Sequence, residues 1–357
     1  MTGWPRALLS TLPPRARPRP LTRHLFEARL SAVALAVLCL AVGSPAHADD
    51  GQRVSGRTLF TITDEDVFES SGLVDAGPVV YTTNDSGDDA VIYGFDAGTG
   101  RLVSRTTYAP EVDDVEALAP GRGGVVWAGD IGDNPGRRTS IDVYQVVPGR
   151  GTHERPARRY TFTYPDGPHD AETLLVHPRT GRLFVVSKSA FGGTVYAAPV
   201  RPRAGGQPNP LKAFARVTGL VTDGTFLPDG KRVVLRTYGT ATVSTFPGFA
   251  PIGTVRLPQQ RQGEGISVSR TGRVLVSSEG PRSDVLEVRL PTALTDPKAT
   301  PSAAPVDPTK DPLPPTNARP ATRTVSEWGW TALVAAGVAV LGYLTLRGSR
   351  LRGPRKR

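Results

Sequence analysis

Between residues 57 and 290 apolar and polar positions alternate in short runs, cut by Gly, Pro, Asp and Asn. A period of two over runs of this length reads as β-strands, and the β-branched and aromatic content of the runs agrees. The predicted strands fall into groups. They are 79–83, 90–95 and 102–108, then 124–128, 141–146 and 158–164, then 183–188, 194–198 and 211–217. The series continues with 232–237, 241–246 and 252–257 and ends with 274–278 and 285–290. One further strand opens each group, carrying a polar–small–apolar step: Ser71-Gly72-Leu73, Glu116-Ala117-Leu118, Glu172-Thr173-Leu174, Asp223-Gly224-Thr225 and Glu264-Gly265-Ile266. The small residues lie 45, 56, 51 and 41 positions apart. A unit of about four strands repeating at that period predicts an all-β, five-bladed β-propeller. Six blades is the alternative, and would need a unit to split where no further acidic step occurs.

The fifth unit is one strand short. A β-rich segment, 57–62, precedes the first step without a partner of its own. Because an open ring leaves an unpaired edge, this segment is predicted to complete the fifth blade and close the disc. A propeller would then gather residues far apart in sequence around one axis. At the inner-strand position stand Glu116, Glu172, Asp223 and Glu264, with Glu69, Asp114 and Asp170 two residues ahead of three of the steps. A polar loop after the second strand adds Asp85, Asp130, Lys188, Arg236 with Tyr238, and Glu279.

Carboxylates crowded on one axis repel, so a cation, Arg or Lys, or protonation must offset them. Two readings follow. In one, Ca²⁺ or another divalent ion is held by Glu116, Glu172 and Glu264, and Glu69, Asp85, Asp114, Asp130, Asp170, Lys188, Arg236 and Glu279 help to bind a ligand. In the other, the acids serve backbone amides and turns. His169 beside Asp170 is the histidine best placed for acid–base work, and with Glu116, Glu172, Asp223 and Glu264 it completes the catalytic candidates. The chain has no G-x-S-x-G, H-E-x-x-H, Walker or G-x-G-x-x-G pattern, which removes those enzyme classes.

Charge changes the picture at the ends. The net charge of +10 is confined to residues 1–48 and 327–357, each +5, while 49–326 balances 31 basic with 31 acidic residues. A neutral body argues against a nucleic-acid partner. The run SAVALAVLCLAV at 31–42, followed by Ala46-His47-Ala48, reads as a signal peptide spanning 1–48. Cleavage there would remove Cys39, the only cysteine, leaving neither a disulfide nor a thiolate metal site. The propeller is assigned to 49–291 and a Pro-rich stalk to 292–327, able to reach about 100 Å if extended. The uncharged stretch 328–346, WGWTALVAAGVAVLGYLTL, has the length of a membrane-spanning helix. The basic tail 347–357 places the C-terminus in the cytoplasm and the propeller outside the cell. A monomer in the cell membrane is expected, facing a ligand or cell-envelope partner.

Three stretches add a resemblance: Asn84-Asp85-Ser86-Gly87-Asp88, Gly129-Asp130-Ile131-Gly132-Asp133-Asn134 and Asp170-Ala171-Glu172-Thr173-Leu174. They resemble motifs of secreted bacterial β-propeller proteins of unassigned function, across about 57–291. More distantly, the acidic step is similar to those of β-propeller phytases and gluconolactonase-like propellers. That similarity implies a divalent ion in an acidic channel. The sparse Lys and Arg around the predicted channel depart from the phytase pattern. The excess of Arg over Lys, 37 to 6, points to a GC-rich, actinobacterial-type genome. The expected function is ligand binding at the acidic face, and the alternative is a divalent-metal-dependent hydrolase of phosphoesters, lactones or glycans.

Overall fold

The computed structural model of the 357-residue chain describes residues 52–85, 89–109 and 111–296. The predicted signal peptide, the bulk of the stalk, the 328–346 helix and the tail lie outside the described residues. No helix among the described residues is long and apolar enough to cross a membrane.

Strand β1 (Gly56–Thr61) comes first. Blade 1 follows as β2 (Ser70–Asp75), β3 (Val79–Asn84), β4 (Val91–Asp96) and β5 (Leu102–Thr107). Blade 2 is β6 (Val115–Pro120), β7 (Val126–Asp130), β8 (Ile141–Val146) and β10 (Arg158–Thr163), with β9 (Gly151–Glu154) between the last two in sequence. Blade 3 is β11 (Ala171–Val176), β12 (Leu183–Ser187), β13 (Thr194–Ala197) and, after β14 (Asn209–Pro210), β15 (Lys212–Arg216). Blade 4 runs β16 (Asp223–Phe226), β17 (Arg232–Arg236), β18 (Thr240–Thr245) and β19 (Pro251–Arg256). Blade 5 has β20 (Gly263–Val268), β21 (Val274–Ser278) and β22 (Asp284–Val288). Each blade is a meander, and β1 pairs antiparallel with β22 to supply the missing strand. The inner strands pack in a closed cycle, β2 on β6, β6 on β11, β11 on β16, β16 on β20 and β20 on β2. The five-bladed disc and its N-terminal closure are therefore as the sequence predicts.

Two strands were not expected. β9 adds parallel to β5 at the rim of blade 1, and β14 adds parallel to β10 at the rim of blade 2. Each comes from the following blade and covers an outer edge that would otherwise present unpaired backbone groups. A helical turn, α1 (Thr292–Thr295), lies where the sequence reading begins the stalk. It rests on blade 4, with Arg232 Nη1 donating to the Leu294 carbonyl at 2.9 Å.

The apolar core is divided into five slabs, one between each pair of neighbouring blades. Successive side chains of a strand point to opposite faces, so one inner strand serves two slabs. Leu174 enters the slab between blades 2 and 3, and Leu175 the slab between blades 3 and 4. This double duty explains why the inner strands are buried along their whole length. The small residue of the repeated step lies where adjacent inner strands meet. A Cβ on Gly72 would press into the Leu118 amide of blade 2, and one on Gly265 would stand 2.7 Å from Leu73 Cβ of blade 1.

The closing strand is tied by more than backbone pairing. Phe60 is buried in the slab between blades 5 and 1 and stacks on Phe95 with centroids 5.8 Å apart. Phe60→Ala removes that ring from the seam of the disc. It is expected to cost about 3–5 kcal/mol, as for other buried Phe truncations, read as a lower urea midpoint. A loss under about 1 kcal/mol would show that ring closure does not depend on this contact.

Candidate functional site

The end of the ring where the inner strands begin is acidic, and local backbone geometry aims the acids. Opposite Asp130 and Gly129 of β7 stand Val115 and Ala117, so Glu116 is an extra residue in β6. Glu172 is likewise extra between Ala171 and Thr173, and Glu264 falls in the irregular stretch between Gly263 and Ile266. Such bulges redirect a side chain out of the alternating pattern. The inner strand pair of blade 4 has no bulge, since Asp223 to Phe226 pair in step with Arg236 to Val233. Its acid behaves differently. Asp223 is fully enclosed and accepts from its neighbour's amide, Gly224 N, at 2.7 Å and from Ile266 N of blade 5 at 2.7 Å. It joins two blades through their backbones.

The end of the second strand holds the chain just before the inner strand. Asn84 Oδ1 accepts from the amides of Phe68 and Glu69 at 3.2 and 3.3 Å. Asp130 does the same for Asp113 and Asp114, at 3.1 and 3.0 Å, and Ser278 Oγ for Gln262 at 3.1 Å. The following residue then returns its own amide to the carbonyl of Glu69, Asp114, Asp170 or Gln262, from Asp85, Ile131, Lys188 and Glu279 respectively. Three of those four side chains, Asp85, Lys188 and Glu279, are charged.

The stretch 129–134 is a scaffold for this end of blade 2. Arg138 Nη1 pairs with Asp130 Oδ1 at 2.7 Å, and Asp133 accepts from the amides of Arg137 and Arg138, both at 2.8 Å. The Asp133 amide donates to Asp170 Oδ1 at 2.9 Å, linking blade 2 to the blade 3 acid. Gly132 lies against the Asp114 carboxylate and within 2.9 Å of Glu116 Cγ, measured from where its Cβ would be. Any larger residue would push the two acids apart.

Asp85, Asp114 and Glu116 converge, each offering a carboxylate oxygen within 4.8 Å of the others. Desolvation, then Asp85 and Asp114, push the Glu116 carboxyl up to about 9. Desolvation, with Asp85 and Asp170, raises Asp114 to about 6. Asp114 Oδ1 is enclosed, with no hydrogen-bond partner among the described residues. Next around the ring, Lys188 forms an ion pair with Glu172, whose second oxygen is buried with no hydrogen-bond partner among the described residues. Burial raises Glu264 to about 7, with the Gln262 hydrogen bond and Lys188 opposing the rise. Burial, with Asp85 and Glu69, also raises Glu279. Tyr238, 39% exposed, lies within electrostatic reach of Glu264, Glu279, Glu116 and Asp170.

Of the residues expected at a site, Asp85, Asp114 and Glu116 come together, with Asp170, Glu172, Lys188, Glu264 and Glu279 completing the mouth and Glu69 beside Glu279. Asp130 is occupied by two amides and Arg138. Arg236 is wholly enclosed, donating to the carbonyls of Gly265 at 2.6 Å and Ser277 at 2.8 Å and to Gln260 at 2.7 Å. His169 turns to Asp166 at 3.0 Å and the Tyr196 hydroxyl at 2.7 Å, and its ring packs on Tyr164. The sequence reading missed Arg138 and the joining role of Asp133. The only trace of either is the density of Asp and Gly at 129–134.

No family profile matches the chain, and no curated protein matches it. Among solved structures, a gluconolactonase from Xanthomonas campestris is similar at 15% identity and TM-score 0.41, covering 68% of this chain and 94% of that one. A candidate 6-phosphogluconolactonase from Bacteroides uniformis is similar at 17% identity and TM-score 0.32, covering 60% of this chain and 65% of that one. Both likenesses are distant and concern the fold.

The Glu116 shift predicts a pH dependence. An unfolded Glu loses its proton near 4.5, whereas folded Glu116 keeps it to about 9. Between those values the native state holds the extra proton, so stability falls as pH rises. In chelator, the melting midpoint is expected to drop from pH 5 to pH 9. Glu116→Gln is expected to flatten that slope and melt higher than the unaltered protein at pH 9. An unchanged slope in the variant would mean that Glu116 is not the group responsible.

Proposed function

We propose that the acidic mouth of the channel binds a divalent cation through Asp85, Asp114 and Glu116, and that the propeller holds its ligand there. The observation that carries this reading is the convergence of three carboxylates within 4.8 Å, one with an enclosed oxygen that has no hydrogen-bond partner among the described residues. An all-oxygen donor set suits hard cations such as Ca²⁺ or Mg²⁺. A cation would supply the charge that otherwise has to come from protons on Glu116 and Asp114, so binding releases protons and tightens as pH rises. With one oxygen from each carboxylate, the three side chains provide fewer than the 6–8 oxygens Ca²⁺ takes, which leaves positions for water or for oxygens of a ligand. In this reading the propeller is an extracellular head, carried by the 328–346 helix on its Pro-rich stalk, that binds a ligand or cell-envelope partner.

One observation favours hydrolysis as a second reading. Glu264, at about 7, has the proton affinity suited to general acid–base work near neutral pH. Glu264→Gln separates the two, since binding would survive and turnover of a phosphoester, lactone or glycan would be lost.

The direct test is a melting series on the full-length chain at pH 8 in EDTA, CaCl₂ or MgCl₂. A cation at a hundred times its dissociation constant adds about 2.7 kcal/mol, or about 5–10 °C for a domain of this size. Asp114→Asn should remove most of that gain, and Gly132→Ala should weaken cation affinity because its methyl displaces the Asp114 carboxylate. Equal midpoints in EDTA and in millimolar CaCl₂ and MgCl₂ would sink the proposal.

A further inference from the structure

The opposite end of the ring, where the inner strands finish, holds a cavity of about 1030 Å³ lined by the first turn of all five blades. This end is built differently from the acidic mouth. Neighbouring turns are stitched together. Arg122 Nε donates to the Pro178 carbonyl at 3.1 Å, His177 Nε2 meets the Gly230 carbonyl at 3.0 Å, and Arg273 pairs with Asp75 at 2.6 Å and donates to Gly77 at 3.0 Å. The rim is therefore pre-formed, as small-molecule pockets usually are. Val74, Val176, Phe226 and Val268 give the lining an apolar part, as does Trp127, which belongs to the core slab between blades 2 and 3. Trp127 is held by Tyr160, ring centroids 5.4 Å apart.

The charge at this end is positive. Arg122 and Arg270 both line the cavity from exposed positions, and neither pairs with a carboxylate among the described residues. The carboxylates of these turns are already engaged, Asp75 by Arg273 and Asp229 by Arg232 at 2.6 Å. His177 adds no charge. Burial lowers its pKa, and its Nδ1 accepts from the amides of Arg179 and Thr180 at 3.2 and 3.1 Å. A planar guanidinium beside an indole and an aliphatic wall recognises a flat apolar body carrying an acidic group.

We infer that this end of the channel is a second ligand site, for an aromatic or otherwise apolar molecule bearing a carboxylate, sulfonate or phosphate. It does not depend on the cation proposal, because no residue of the acidic mouth lines it. The same anion would be repelled by the acids at the other end, so the two mouths select ligands of opposite charge.

Anilinonaphthalene sulfonate is a suitable probe, being aromatic, anionic and able to accept energy from an indole. The folded full-length chain is expected to bind one equivalent, with energy transfer that Trp127→Phe abolishes although Trp4, Trp328 and Trp330 remain. The pair Arg122→Ala with Arg270→Ala should weaken binding at least tenfold, and Arg270→Ala alone should weaken it at an unchanged melting midpoint. Arg270→Glu, altering an exposed side chain alone, should weaken it as well. Benzoate should compete and benzylamine should not. Glu116→Gln should leave probe binding intact, so failure of the cation site and failure of this one are told apart. Probe binding that is absent, of several equivalents, or indifferent to both arginine changes and to Trp127→Phe would overturn the inference.

Discussion

Crowding of like charge around a narrow axis is the constraint on which the acidic end depends. The closed cycle of inner strands brings acids from separate blades to one mouth, and burial removes the water that would screen them. Lys188 offsets Glu172, and Arg138, paired with Asp130, offsets part of the charge at Asp114. Burial first, and the neighbouring acids after it, raise the Glu116 carboxyl to about 9 and the Asp114 carboxyl to about 6. In the proposed reading a cation would take the place of those protons within the same frame.

That frame is rigid because backbone groups, rather than long side chains, fix it. Asn84, Asp130 and Ser278 each satisfy amides just ahead of an inner strand, and the next residue returns an amide to the same turn. The bulges then point Glu116 and Glu172 away from the alternating pattern. The inner strand pair of blade 4 shows what happens without one. Asp223 pairs in register, meets the Ile266 amide and becomes a joint between blades, while Arg236 enters the gap and bonds to carbonyls of blade 5. An acid at the same place in the repeat thus lies among other acids at the mouth in one blade and joins two blades in another.

The fold was legible because its decisive features are local. Small residues recur where inner strands touch, and segment 57–62 was conspicuous as a strand with no partner beside a blade lacking one. Strands β9 and β14 were hidden, because Gly151–Glu154 and Asn209–Pro210 have no apolar alternation and owe their form to the edge they cover. At the site, the identity of the acids could be read but their division of labour could not. Nothing in the step Asp223-Gly224-Thr225 announces that its register lacks a bulge, and Arg138 reaches Asp130 from eight residues away.

The two ends of the channel follow from one topological fact. Inner strands all run the same way along the axis, so whatever the sequence puts before them collects at one mouth and whatever follows them collects at the other. Residues ahead of the strands are acidic in most units, and the turns after them carry Arg122, Arg179, Arg270 and Arg273. A repeat therefore converts a short-range bias, acid before and arginine after, into a molecule polarised along its axis. Such polarity is unrelated to the net charge of the propeller region, which is near zero, and would orient a charged ligand before any contact forms.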